Sequence, residues 1–164
     1  MTNNTAGRVG PPMERPPEDA REFFHGFLEN GGLYDWSYWD HIQSWWEIHN
    51  TPNVLLVHFN DLKADMEGGI RRIAEFLDIE IDEERWPDII EHFTFDYMKK
   101  NANSLLEHFP DMFEGGLTKF VYKGTNGRWR DGLTSEENEK YERIANSHLT
   151  PDCAHWHATG EMPD

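Results

Sequence analysis

One cysteine, Cys153, is present in the 164-residue chain, so an intramolecular disulfide is excluded. A chain this poor in cysteine suits a reducing compartment, and a cytoplasmic location is expected. No apolar run reaches the ~18 residues of a membrane helix, and no charged-then-apolar leader opens the chain. A membrane-spanning protein and a Sec-exported protein are both unexpected. Basic residues are scarce too, 15 Lys and Arg against 31 Asp and Glu, for a net charge of −16. Such a surface repels phosphate polyanions, so neither nucleic acid nor an anionic membrane is an expected partner. Hydrophobic residues make up only 37%. What is plentiful is aromatic: 7 Trp, 5 Tyr and 10 Phe. Disordered chains are poor in aromatics, so this composition predicts one folded domain.

Residues 1–17 carry Pro11, Pro12, Pro16 and Pro17 and read as a proline-rich arm. The domain proper is expected over 18–164. Phe23, Phe24, Phe27 and Leu28 recur at helical spacing until Gly31 and Gly32 stop the run. A second helix is expected over Ser37–His49, with Tyr38, Ile42, Trp45 and Trp46 along one side. Asn53–Phe59 is a short, continuous apolar run rich in branched residues, the pattern of a strand buried on both faces. Helical stripes follow at Ile70, Ile73, Ala74 and Leu77, then at Trp86, Ile89 and Ile90, then at Phe95 and Met98. Residues 102–119 read as loop. Thr134 opens a helix with Glu137 at capping-box spacing, and Thr150-Pro151 opens a terminal one. A lone strand cannot satisfy its own backbone, and residues 118–122 are the only weak second candidate. The expected class is therefore α/β, mostly helical with one strong central strand, whose other strands lie elsewhere.

The window Lys119–Arg130 holds four of the fifteen basic residues and no acid. Gly124 and Gly127 let backbone N–H groups approach a bound group, and Lys or Arg adds charge, which suits a phosphate or sulfate. A solvated loop whose bases balance nearby acids is the other reading. Neither GxxxxGK[ST] nor GxGxxG is present.

Phe120-Val-Tyr-Lys123-Gly124-Thr-Asn-Gly127-Arg-Trp129 resembles the F-x-x-K-G-x-x-G-x-W signature of sulfotransferases that use 3′-phosphoadenosine 5′-phosphosulfate (PAPS). Upstream, in order, Asn53–Lys63 resembles the family's N-V-L-x-L-x-Y-E-D-L-K strand and turn. Ile70–Leu77 resembles I-x-x-I-A-x-F-L, and His92–Asn101 resembles H-x-S-F-x-x-M-K-x-N. Trp39-Asp40-His41 with Trp45-Trp46 is similar to the W-F-D-H-x-x-x-W-W helix. The resemblance covers about residues 20–145. It implies the C-terminal portion of a P-loop-type three-layer α/β sulfotransferase fold. It implies that Lys123, Gly124 and Gly127 wrap the 3′-phosphate of PAPS, with Phe120 and Val121 beside the nucleotide. Phe59 takes the place of the family's adenine-stacking Tyr, Thr94, Phe95 and Met98 border the nucleotide, and Trp129 braces the loop.

Departures are equally specific. Tyr122 replaces the Arg before Lys-Gly. The T-Y-P-K-S-G-T-T-W loop for the 5′-phosphosulfate, the R-N-P-x-D segment and the catalytic His between them have no counterpart here. The expected function is thus sulfotransferase-like: the 3′-phosphate and adenine side of sulfuryl transfer from PAPS to a hydroxyl or amine of an unidentified small acceptor. No catalytic residue is assigned, and the chain alone is expected to be inactive. The alternative is a non-catalytic acidic anion-binding or interaction module. Surface left open by the missing half would favour self-association. The family's dimer motif would fall on Arg130, Thr134, Ser135 and Glu139, with Ser135 replacing an apolar Val.

Remaining chemistry-bearing residues read as structural. His155 and His157 do not share a helix face, and no Cys or carboxylate cluster completes a metal site. His41, His58 and His92 read as hydrogen-bonded or capping residues. Trp36, Trp39, Trp45 and Trp46 read as core before acceptor pocket, and Cys153 beside Asp152 and His155 is no catalytic arrangement. Glu83-Glu84 and Glu136-Glu137 read as solvated helix starts.

Overall fold

A computed structural model describes residues 17–32, 37–105, 121, 124–127 and 129–163. Helix α1 (Ala20–Asn30) begins where the Asp19 carboxylate accepts the N–H groups of Arg21 and Glu22 at 2.8 and 2.9 Å. It stops at Gly31, in the left-handed region at φ 68°. Ser37 caps α2 (Tyr38–Glu47), accepting the Asp40 N–H at 3.2 Å. After the 54–58 segment come α3 (Phe59–Ala64) and α4 (Met66–Phe76), capped by His58 and Asp65. Gly69 lets the two helices close up, since a Cβ there would lie 2.7 Å from Leu62 Cδ1. Helices α5 (Trp86–Phe93), α6 (Phe95–Lys100) and α7 (Ala102–Leu105) follow. Beyond 121–127 lie α8 (Trp129–Gly132), α9 (Ser135–His148) and α10 (Pro151–Thr159).

The core forms where α1, α2, α9 and α10 turn their apolar sides together. Leu28, Trp39, Trp46, Ala145, Leu149 and Cys153 are buried, and Phe24, Phe27, Ile42, Leu56, Ile144 and Trp156 pack around them. Trp39 is fully buried and stacks on His148 with ring centres 6.0 Å apart. Its indole Nε1 has no hydrogen-bond partner among the described residues. Beside it the Tyr141 hydroxyl bonds that of Tyr38, which in turn lies 2.9 Å from His157 Nε2. Burial raises both phenols above their ordinary range and lowers His157, so this chain of polar groups stays neutral. Burial also pushes the Cys153 thiol up to about 11, which leaves it a small core hydrophobe and a poor nucleophile.

Expectation and structure part at several points. Residues 54–58 pair with no other strand among the described residues, so the expected strong central strand is not seen as a ladder. A strand exists only as one member of a paired set, and no neighbour lies among the described residues to complete it. The apolar run also ends one residue earlier than expected: Phe59 opens α3, because the His58 ring accepts the Asn60 N–H and caps the helix. Within 102–119, Ala102–Leu105 is helical, while 106–120 lies outside the described residues, as do most of residues 118–122.

Glu137 is not solvated. It is 7% exposed and joins α9 to α1, because its Oε1 accepts Arg21 Nη2 at 2.8 Å and lies 2.8 Å from His25 Nε2. Glu83 sits in the turn before α5 and grips the Arg71 guanidinium with both oxygens, at 2.7 and 2.9 Å. That guanidinium lies 4.3 Å over the buried Trp86 ring and ties α4 to α5.

Candidate functional site

Three pieces of chain meet at the glycine loop. Gly124 and Gly127 both have positive φ, 59° and 79°. At Gly124 a side chain is excluded twice over, because the backbone is left-handed and a Cβ would run into the Phe95 ring. Phe95 is held there by α6, whose first turn is fixed by Thr94. The Thr94 hydroxyl donates to the Glu91 carbonyl at 2.7 Å and accepts the Tyr97 N–H at 3.2 Å. From the other side, α3 ties the loop down. Lys63 Nζ donates to the Gly124 carbonyl, and Asn126 Nδ2 donates to Asn60 Oδ1 at 2.5 Å.

The charges converge likewise. Lys63 sits on the Gly124 carbonyl, and Lys99 Nζ lies 5.6 Å over the Phe95 ring. Arg130 folds back over the Trp129 ring at 4.9 Å, its Nη1 within 2.9 Å of a Cβ built on Gly127. Three cations around one glycine turn make a local positive field in a chain of net charge −16. Such a turn, with Gly124, Thr125 and Asn126 exposed, can hold an anion through N–H groups and charge-assisted bonds.

Of the residues singled out in the sequence, Thr94, Phe95, Gly124 and Gly127 are brought into this one neighbourhood. Val121 is half-buried at the loop's start. Phe59 is adjacent to Asn60, the loop's partner, with 58% of its surface open to a flat ligand face. Met98, one turn beyond Thr94 on α6, is also exposed. Lys123, Phe120, Tyr122 and Trp36 lie outside the described residues. Trp129 is half exposed; it carries Arg130 and is not buried under the loop. Sequence reasoning took Asn126 only as a short hydrogen-bonding side chain of the loop and assigned no role to Lys63, Asn60 or Lys99. The D-L-K ending of the strand motif was the available signal for Lys63.

Away from the loop, Trp39 and Trp46 are core and Trp45 is exposed. His58 Nε2 donates to the His157 carbonyl at 3.2 Å, and the His155 ring lies 3.2 Å from Glu161. Among the described residues no group of three or more His, Cys, Asp or Glu is placed to hold a metal ion. None of their helices is long and apolar enough to cross a membrane.

We expect Gly124→Ala to destabilise the chain by about 1–3 kcal/mol, from left-handed strain and the displaced Phe95 ring. Urea unfolding compared with Gly132→Ala checks it, because nothing lies within 4 Å of a Cβ at Gly132.

Comparison with known proteins gives the same direction. Sulfotransferase 1B1 of Mus musculus is 31% identical over 129 residues, 78% of this chain and 43% of the relative. Sulfotransferase 1A1 of Rattus norvegicus is 32% identical over 120 residues, 71% of this chain and 41% of the relative. Among solved structures, a mouse sulfotransferase complexed with PAP superposes with a TM-score of 0.68 at 23% identity. The match covers 86% of this chain and 52% of that one, and it shows a shared fold. Retinol dehydratase, solved with androsterone and the inactive cofactor PAP, superposes with a TM-score of 0.63 at 26% identity, over 80% of this chain and 38% of that one. The chain thus spans less than half the length of these curated relatives. The family model for the sulfotransferase domain matches residues 4–152, and the chain belongs to that family.

Proposed function

We propose that this chain forms the 3′-phosphate and adenine side of a sulfotransferase domain whose co-substrate is PAPS. The observation that carries the reading is the glycine loop pinned between α3 and α6 and ringed by Lys63, Lys99 and Arg130. The fit rests on Gly124 and Gly127, which let the loop pack against the Phe95 ring and the Arg130 guanidinium, where any side chain would collide with them. Lys123, Gly124 and Gly127 hold the 3′-phosphate. Phe59 offers a face to the adenine, and Thr94, Phe95, Met98, Phe120 and Val121 border the nucleotide. PAPS, when bound, supplies the transferable sulfuryl group. The acceptor is a small hydroxyl or amine compound. In this reading residues 54–58 are the central strand of the complete α/β sheet, and the protein works in the cytoplasm.

The residues that would bind the 5′-phosphosulfate and act as base are not found in 1–164, so this chain alone is proposed to be inactive. A non-catalytic acidic anion-binding or interaction module is the second reading, which the three cations Lys63, Lys99 and Arg130 around the glycine loop serve equally. Incubation with PAPS and a panel of phenols separates chain-alone turnover from both.

Nucleotide binding tests the site. Adenosine 3′,5′-bisphosphate is expected to bind at about millimolar, near −4 kcal/mol, against the chain's overall negative charge. 5′-AMP is expected to bind more weakly. Lys123→Ala removes one charge-assisted bond and weakens the bisphosphate by about tenfold or more. Added salt lowers affinity by screening. Calorimetry showing equal affinity for the two nucleotides, or no effect of Lys123→Ala, would reduce the loop to a structural turn.

A further inference from the structure

His58 stands where α10, α3 and the core meet. Its ring caps α3, because Nδ1 accepts the Asn60 N–H at 3.2 Å. Its Nε2–H donates to the His157 carbonyl at 3.2 Å, in the last turn of α10, where a helix cannot satisfy its own carbonyls. A backbone N–H only donates and a carbonyl only accepts, so these two contacts require one neutral tautomer, with the proton on Nε2. The ring also meets that of Trp156 edge-on, 5.6 Å between centres, and Trp156 packs on the core residue Trp46 at 5.5 Å. Just past α10, Gly160 is buried at φ 89°. A Cβ there would lie 2.7 Å from Asp61 Oδ1 and 2.8 Å from His58 Nδ1. Glycine thus lets the end of α10 close down on the first turn of α3.

Asn60, whose N–H the ring receives, holds the glycine loop: its Oδ1 accepts Asn126 Nδ2 at 2.5 Å. From the same helix Lys63 reaches the Gly124 carbonyl. A helix of six residues has little stability of its own and takes its position from whatever holds its ends. One continuous line of contacts therefore runs from the core through α10, His58 and Asn60 to Asn126. We propose that His58 is a positioning residue for the 3′-phosphate loop. It transmits the seat of α10 on the core to Asn60 and Lys63, and so holds the loop in its anion-binding shape before any ligand arrives. In the N-V-L-x-L-x-Y-E-D-L-K pattern this position is an unspecified one, so the link is supplied by this chain's own residues. The proposal rests on the nucleotide reading above, but its first readout needs no nucleotide, so the two fail separately.

The test is NMR on the 164-residue chain and its variants. His58→Phe keeps a ring against Trp156 and loses both hydrogen bonds. It is expected to move the Gly124 and Gly127 amides and the Asn126 side-chain amide, while the amides inside α2 and α9 stay in place. In an Asn60→Ala background the same substitution is expected to move the loop far less, because the link onward is already cut. Gly160→Ala changes no loop contact but crowds His58 and Asp61, and it is expected to move the same loop signals even where His58→Phe does not fold. Gly26→Ala, with nothing within 4 Å of the new Cβ, is the control and is expected to leave them unmoved. Adenosine 3′,5′-bisphosphate is expected to bind His58→Phe about fivefold more weakly, through lost preorganisation, with 5′-AMP less affected. In the unmodified chain, imidazole nitrogen shifts at about pH 8 are expected to show His58 protonated on Nε2. Loop signals unmoved in folded His58→Phe or Gly160→Ala, a full effect that persists in Asn60→Ala, or a proton on Nδ1 would each overturn the proposal. If the unmodified chain binds neither nucleotide, the nucleotide reading falls, and the loop signals alone decide the role of His58.

Discussion

Trp39→Ala is expected to remove about 3–5 kcal/mol of stability, the cost of emptying a large aromatic site in a closed core. Trp39 is fully buried, and its ring meets those of Tyr38, Tyr141, His148 and His157, which come from α2, α9 and α10. No smaller side chain can touch all four. Native domains keep only ~5–15 kcal/mol in total, so the variant is expected to be largely unfolded at 37 °C. Trp39→Phe is expected to cost less, since the indole Nε1 has no partner to lose among the described residues. Urea denaturation followed by far-UV circular dichroism checks both. Equal midpoints for wild type and Trp39→Ala would mean that the four aromatics do not depend on this ring.

The second large effect concerns acid. The Glu137 carboxylate accepts the Thr134 N–H at 2.7 Å, Arg21 Nη2 at 2.8 Å and a contact from His25 at 2.8 Å. The Thr134 N–H, then Arg21, hold its pKa down at about 2, against an ordinary 4.5. A carboxyl lowered on folding stabilises the native state fully above its unfolded value. That contribution is lost as pH falls from about 4.5 towards about 2. Glu137→Gln keeps an acceptor oxygen for the cap but gives up the charge. The variant is expected to be less stable than wild type at pH 7 and to approach it at pH 2, because most of the stability carried by the wild-type carboxylate is lost by then. Melting temperatures across pH 2–7 for both proteins measure the difference. A gap that stays constant over the whole range would show that the charge is not what joins α1 to α9.

How legible was this in the sequence? The helices of the core were, because their ends are written locally. Thr134 and Glu137 at capping-box spacing, Gly31 after an aromatic stripe and Thr150-Pro151 each depend only on near neighbours. Glu137 itself was misread as solvated, because its partners Arg21 and His25 lie 116 and 112 positions away. The α3 boundary was missed because His58 is an uncommon cap, outside the Ser, Thr, Asp and Asn set that sequence reading relies on. The apolar run at 54–58 was legible, but strand pairing was not, since pairing belongs to two segments and only one is described. At the site, the motifs singled out Thr94, Phe95, Gly124 and Gly127 in order along the chain. That Phe95 blocks a side chain at Gly124, and that Lys63 reaches the same residue from 61 positions away, required the folded backbone.

The central claim is that these residues form one adenosine 3′-phosphate site. The most direct measurement is an amide chemical-shift titration of the chain with adenosine 3′,5′-bisphosphate. The account predicts saturable shifts confined to Phe59–Lys63, Thr94–Met98 and Val121–Arg130, sharing a single affinity. They should weaken together in Lys123→Ala, while α1 and α10 stay unmoved. Shifts scattered over the surface, or different affinities for the α3, α6 and loop residues, would contradict it.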